Sequence, residues 1–163
     1  MKKRLDSNKT LYFNCNFPKR LKKSAKRYRV TLGVGGNLGD SRRIFHKLLV
    51  TFLRSKFVDP VATAPIIKNP PFGFLDQPYF YNTVIVVYTN LLPHRFLRYI
   101  LAVEKRFKRK RLFKDGPRSL DLDIIFFDKF IIESKDLTLP HPNWSERESV
   151  VIPLRYIYGI KNI

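Results

Sequence analysis

Cysteine is nearly missing from this chain. The 163 residues contain Cys15 alone, which excludes an intramolecular disulfide and points to a reducing compartment. No His or Cys-x-x-Cys partner lies near Cys15, so it carries no expected chemistry. Long apolar runs are also missing: none approaches the roughly 18 residues that cross a bilayer. The N-terminus is basic but has no apolar core of a secretory signal, because LYFNCNF is interrupted by two asparagines. We therefore expect a cytoplasmic protein. A phosphate-cradling P-loop is absent, since nothing matches GxxxxGK[ST] and GVGGNLGD lacks the lysine. Acidic residues are scarce, 13 against 32 Lys and Arg, for a formal net charge of +19.

Such an excess invites a nucleic-acid reading, so its distribution matters more than its size. Residues 1–29 hold 11 basic residues against 1 acidic, and residues 105–118 hold 8 against 1. The rest of the chain is close to neutral. The excess thus lies in an N-terminal segment and one internal loop, which need separate explanations.

A composition 44% hydrophobic and 14% aromatic supports one compact domain with a real core. Residues 1–28 show no sustained period and precede the first strand signal; they read as a basic extension to a domain spanning 29–163. Residues 28–35 (YRVTLGVG) alternate and run into the turn GGNLGD, after which Asp40 or Ser41 can cap a helix with Phe45, Leu48, Leu49 and Phe52 at helical spacing. A second strand is expected near 56–63. The proline-rich stretch 64–77 reads as a long binding loop. Residues 80–89 (FYNTVIVVYT) form a strong strand, and Pro93 opens a helix whose stripe is Phe96, Ile100, Val103 and Phe107, with Glu104 at the edge of the core. After the basic loop come a strand at 119–127 and a short one at 130–133. The last segment, SVVIPLRYIYGI, is apolar enough to pack back on the sheet. The order β, α, β, β, α, β predicts an α/β (α+β) ferredoxin-like sandwich, a mainly antiparallel sheet covered by helices on one face.

The chemistry concentrates in KDGPRSLDLDII (114–125). Strand alternation sends Leu120, Leu122 and Ile124 one way and Asp121 and Asp123 the other. Two carboxylates on one half-buried face repel each other and resist ionisation unless a cation intervenes. Mg²⁺ is the natural partner, because it takes one or two carboxylates and completes its shell with water and phosphate oxygens. Two ions flanking a phosphate chain fit the same pair. The bland alternative is an edge strand whose acids meet lysines across the sheet. Against it stands the cationic loop immediately upstream, KRFKRKRLFKDGPR, with Arg118 fixed by a Gly-Pro turn three residues before Asp121. An acidic pair under a basic loop is what phosphoryl transfer needs.

These residues resemble the signature of the 6-hydroxymethyl-7,8-dihydropterin pyrophosphokinase family of folate biosynthesis. Residues 114–125 resemble its Gly-Pro-Arg and Asp-x-Asp motif, GVGGNLGD its first strand and turn, TAP with QPYFYN its pterin loop, and LTLPHPNWSER its closing motif. The resemblance covers about residues 28–158. It implies transfer of pyrophosphate from ATP to the pterin hydroxymethyl group, with AMP leaving. Asp121 and Asp123 would bind two Mg²⁺ ions, and Arg109 and Arg118 would neutralise the transferring group. Glu104, Arg111, Ile124 (through its backbone), Thr138, His141 and Arg147 would contact ATP. Phe80 would stack on the pterin, Asn82 would bond its edge, Ala64 and Pro65 would line the pocket, and Asn37 would organise the loops. The turn after the first strand, residues 65–79 and residues 107–117 correspond to the family's mobile loops. Two positions depart from the pattern: Ser149 stands where a second stacking aromatic is usual, and Asp115 where a tryptophan often precedes Gly-Pro-Arg. ATP and the pterin are the implied partners of a monomer, without a membrane, and nucleic acid is expected at most as a weak contact of the basic extension.

Two other classes share some of these features. A nucleotidyltransferase also pairs a Gly-rich turn with Asp-x-Asp, but there the strand follows the turn closely, whereas here about 80 residues intervene. An RNA-binding ferredoxin-like module would use the positive charge and Tyr79, Phe80 and Tyr81, yet two acids on a strand face repel phosphates.

Overall fold

The computed structural model describes residues 1–71, 73, 75–107 and 116–159. Strands β1 (Lys2–Arg4), β2 (Thr10–Tyr12) and β3 (Lys19–Arg20) come from the N-terminal segment. Then follow β4 (Tyr28–Gly36), α1 (Ser41–Leu53), β5 (Val58–Thr63), β6 (Ile66–Asn69), β7 (Phe80–Thr89) and α2 (Pro93–Arg106). The chain continues through β8 (Asp121–Phe127), β9 (Ile132–Glu133), β10 (Thr138–Leu139), a 3-10 turn at Trp144–Glu146 and α3 (Glu148–Tyr158).

The sheet centres on β4, which pairs antiparallel with β7 on one side and β8 on the other. β7 is long enough to take two partners on its far side, β6 along its first half and β5 along its second. The frame β5-β7-β4-β8, with α1 and α2 as crossovers, is the predicted ferredoxin-like order, and every pairing in the sheet is antiparallel. Local chemistry explains the helix ends. Asp40 accepts a hydrogen bond from the Arg43 amide to cap α1, and Pro93 occupies the first turn of α2, where a missing N–H costs nothing.

Alternation along the strands splits the apolar residues between two faces. Val30, Leu32 and Val34 of β4, Ile85 and Val87 of β7, and Leu122 and Ile124 of β8 pack under α1 and α2. One extra residue on β8 interrupts its register with β4 between Thr31 and Leu32. Ile125 shares the face of Asp121 and Asp123 by alternation and meets Val84, Ala64 and the α3 residues Val150 and Leu154 there, while the bulge sets Phe126 on that same face and returns Phe127 to the core under α1 and α2. The sheet is therefore covered by two helices on one face and partly by α3 on the other, rather than on one face alone.

Two further elements differ from the sequence reading. The loop 64–77 contains β6, whose ends are masked locally by prolines. The N-terminal residues enlarge the sheet to eight strands, β2 pairing with β6 and β3 with β5, and bury Leu11 and Phe17.

Candidate active site

Beside α3 the second sheet face opens into a cavity of about 510 Å³. Its floor follows from strand register. Asp121 of β8 lies beside Gly35 of β4, which lies beside Asn82 of β7; one row on, Asp123 neighbours Gly33. Neither glycine fills the space between the acids and the asparagine. A Cβ on Gly35 would stand 2.7 Å from Asn82 Oδ1, and one on Gly36 would stand 2.5 Å from the Ser119 carbonyl oxygen. The backbone approach thus needs glycine at 36, while a side chain at 35 would displace the Asn82 amide.

Arg118 braces one wall. Its Nε is 2.9 Å from Asp121 Oδ2, an ion-pair contact whose angle falls short of a hydrogen bond. Its Nη1 donates to the Gly116 carbonyl, and its guanidinium carbon lies 4.8 Å from the centre of the Phe80 ring. Arg147 reaches Asp123 less closely, at 3.8 Å. Burial, and then repulsion from Asp121, push the Asp123 carboxyl above its ordinary value, while His141, Arg147 and Arg118 oppose the rise. The Asp123 side chain stays 41% exposed to the cavity, so solvent screening tempers all these effects.

Asn37 ties three segments together from a nearly buried position. Its Oδ1 accepts from the Arg118 amide at 2.9 Å, and its Nδ2 donates to Gln77 Oε1 and the Pro78 carbonyl at 2.9 and 3.0 Å. The Asn37 amide donates back to the Arg118 carbonyl. One side chain therefore joins the end of β4, the Gly-Pro-Arg segment and the loop entering β7.

The cavity brings together Phe80, Asn82, Arg118, Asp121, Asp123 and Arg147 of the predicted residues. Others stand outside it. Ala64 is fully buried, its amide bonded to Val84 and its carbonyl to the Thr83 hydroxyl, and Pro65 is buried beside it. Glu104 is buried and accepts from the Leu122 amide at 2.7 Å on the outer edge of β8. Ile124 sits in the core under α1 and α2. Thr138 is exposed on β10, and His141 bonds through its amide to the Ile125 carbonyl and through Nδ1 to the Pro142 carbonyl. Arg109 and Arg111, like Asp115, lie outside the described residues. Trp144 packs edge-on against Phe126 over a separate cavity of about 370 Å³ that includes Tyr158. Ser149 lines the main cavity.

Sequence reasoning missed Lys9, Asn69, Glu148 and the two floor glycines as lining residues. Gly33 and Gly35 had a signal, their alternation in VTLGVGG on the face of Asp121 and Asp123. Lys9 had none, because its place depends on how the N-terminal segment docks.

The donor set suits a hard divalent cation: two carboxylates side by side, one of them held above its ordinary pKa by burial and then by its neighbour. Among the described residues no group of three or more His, Cys, Asp and Glu could hold a metal. That leaves no closed protein cage, and fits Mg²⁺ completed by water and substrate oxygens.

Fold and cavity together define a class: a ferredoxin-like α/β sandwich whose cleft sets paired carboxylates and arginines against an asparagine-floored pocket. The chain belongs to the 7,8-dihydro-6-hydroxymethylpterin-pyrophosphokinase family, whose model matches residues 31–159. It is 43% identical over 145 residues to the 2-amino-4-hydroxy-6-hydroxymethyldihydropteridine pyrophosphokinase of Helicobacter pylori, which covers 88% of this chain and 87% of that protein. The coverage exceeds what residues 29–163 alone can supply, so the match takes in part of the N-terminal segment. The pyrophosphokinase of the same name from Campylobacter jejuni is 36% identical over 131 residues, 80% of this chain and 83% of that one. The folic acid synthesis protein fol1 of Pneumocystis carinii is 37% identical over 130 residues, but these form only 17% of its length.

Proposed function

We propose that this protein transfers pyrophosphate from ATP to the hydroxymethyl oxygen of 6-hydroxymethyl-7,8-dihydropterin. The observation that carries the reading is the row Asn82–Gly35–Asp121, which joins a heterocycle-sized pocket to an acidic pair flanked by arginines. The hydroxyl oxygen attacks the β-phosphorus in line, the bond from that phosphorus to the α,β-bridging oxygen breaks, AMP departs and the hydroxyl proton is released.

Asp121 and Asp123 would hold Mg²⁺, two ions in our reading, which when bound offset the charge of the phosphate oxygens. Arg118 leaves Asp121 for the transferring group, since a cation at the acids removes the charge that now attracts it. By the family resemblance Arg109 would join it. Arg147, His141, Thr138, Glu104 and the backbone of Ile124 contact the nucleotide along β8, and by the family resemblance Arg111 would add to them. On the other side Phe80 stacks on the pterin and Asn82 bonds its edge, with backbone groups of Ala64 and Pro65 behind. Asn37 keeps the two halves in register. The protein acts as a cytoplasmic monomer. Among the described residues no helix is long and apolar enough to cross a membrane.

The decisive test is mass detection of AMP and pterin pyrophosphate from purified protein, ATP, Mg²⁺ and the pterin. Asp121→Asn and Asp123→Asn should each lower product formation by about 100-fold or more, as loss of a positioned electrostatic group does. Unchanged turnover in both variants overturns the metal assignment.

A further inference from the structure

The N-terminal segment reaches the cavity through a single residue. β1 and β2 form a hairpin whose tip, residues 5–9, is organised by its own hydrogen bonds. Asp6 Oδ1 accepts from the amides of Asn8 and Lys9, both at 2.8 Å, and the Leu5 amide donates to the Lys9 carbonyl at 3.0 Å. This tip presents Lys9 with its side chain only 22% exposed. The Lys9 ammonium lies 3.0 Å from Asp6 Oδ2 and 2.6 Å from Glu148 Oε2, the first residue of α3.

Lys9 therefore joins two walls of the cavity. Thr10 pairs with Lys68, so by antiparallel register Lys9 falls opposite Asn69. Asn69 Oδ1 in turn accepts from Asn82 Nδ2 at 2.8 Å. Across the opening, Glu148 and Ser149 form the α3 wall. Glu148 alone would add a further carboxylate to the cavity lining that holds Asp121 and Asp123, in a site read as taking a polyanion. The ammonium cancels that charge and holds the helix start against the hairpin. Removing it leaves Asp6 and Glu148 facing each other, and their repulsion drives the two walls apart.

We propose that Lys9 is a positioning residue of the heterocycle side of the site: clamped on Glu148, it fixes the distance between the Asn69–Asn82 wall and the Glu148–Ser149 wall that enclose the ring. The assignment rests on the pyrophosphokinase reading, and it makes the N-terminal hairpin part of the binding machinery.

Lys9→Met keeps the stem and removes the charge, Lys9→Arg restores the charge, and Glu148→Gln weakens the clamp from the other side. With Mg²⁺ and a non-hydrolysable ATP analogue present, Lys9→Met should weaken pterin binding in calorimetry by about fivefold or more, the scale of a modest loss of positioning. The pterin KM should rise in step while kcat at saturation and the Mg-ATP Kd stay within about twofold. Glu148→Gln should shift the pterin Kd in the same direction, and Lys9→Arg should recover wild-type affinity. A pterin Kd unchanged in Lys9→Met overturns the assignment, as does an equal loss of ATP and pterin affinity, or no recovery in Lys9→Arg. If instead wild-type protein forms no AMP and no pterin pyrophosphate, it is the pyrophosphokinase reading that fails.

Discussion

At the scale of single residues the site is held in an unfavourable state that its ligands would relieve. Asp123 is the clearest case, because burial and Asp121 both favour its protonated form. The folded protein then binds that proton more tightly than the unfolded chain does. Its contribution to stability is present at low pH and is lost as pH rises from the ordinary carboxylate range through the raised folded value. Asp123→Asn removes this loss. In chelator, the variant should melt above wild type at neutral pH, by a small margin because solvent screens the partly exposed carboxylate. The gap should close as the pH falls through that window. A thermal-denaturation series from acid to neutral pH reads this directly, and a variant that melts lower at neutral pH contradicts it. Which face Asp121 and Asp123 share was legible in the alternation of LDLDI. The pairing of Asp121 with Arg118 was anticipated only as proximity in sequence.

At the scale of elements, the strand pattern was easiest to read where one face is buried. β7 and the start of α2 follow the apolar period closely, because Ile85, Val87, Phe96 and Ile100 all enter one core. Two elements escaped. β6 lies between prolines, which locally signal a loop, and its pairing with β2 and β7 is a long-range fact. α3 contains Pro153, which obscures the helical period; the helix forms because Val150 and Leu154 bury against Ile125 and Val84. Between elements, Asn37 does the joining. Asn37→Ala removes the side-chain bonds to Arg118, Gln77 and Pro78. The expected cost is about 2 kcal/mol of stability, the size of leaving buried polar partners unmet. Urea denaturation checks this. Because both substrate loops are untied, kcat/KM should fall for ATP and pterin together, unlike the selective effect expected at Lys9.

At the scale of the molecule, the basic N-terminal segment is two things at once. Its lysines and arginines between 19 and 27 are largely exposed, while Leu11 and Phe17 are buried and Arg42 lies over the Tyr12 ring at 5.1 Å. The buried pair makes the segment structural. Leu11→Ala should cost roughly 2–5 kcal/mol, as for other fully buried leucines. Its melting temperature should drop by at least about 4 °C in calorimetry, given the usual sensitivity of domains this size. A shift within about 1 °C would show that the segment adds little to the fold.

The sequence by itself determined the alternation that sets Asp121 and Asp123 on one face, the order of the central strands and helices, and the motifs that resemble the family. Each of these is local, written in a period of two or 3.6 residues or in a short spacing. Only the tertiary structure decided that Gly33 and Gly35 floor the cavity, that Asn37 ties three segments together, that α3 covers the second face, and that Lys9 arrives at the mouth of the site. Those features depend on register between strands distant in the chain, and on burial and charge pairing across that distance, which no local pattern encodes.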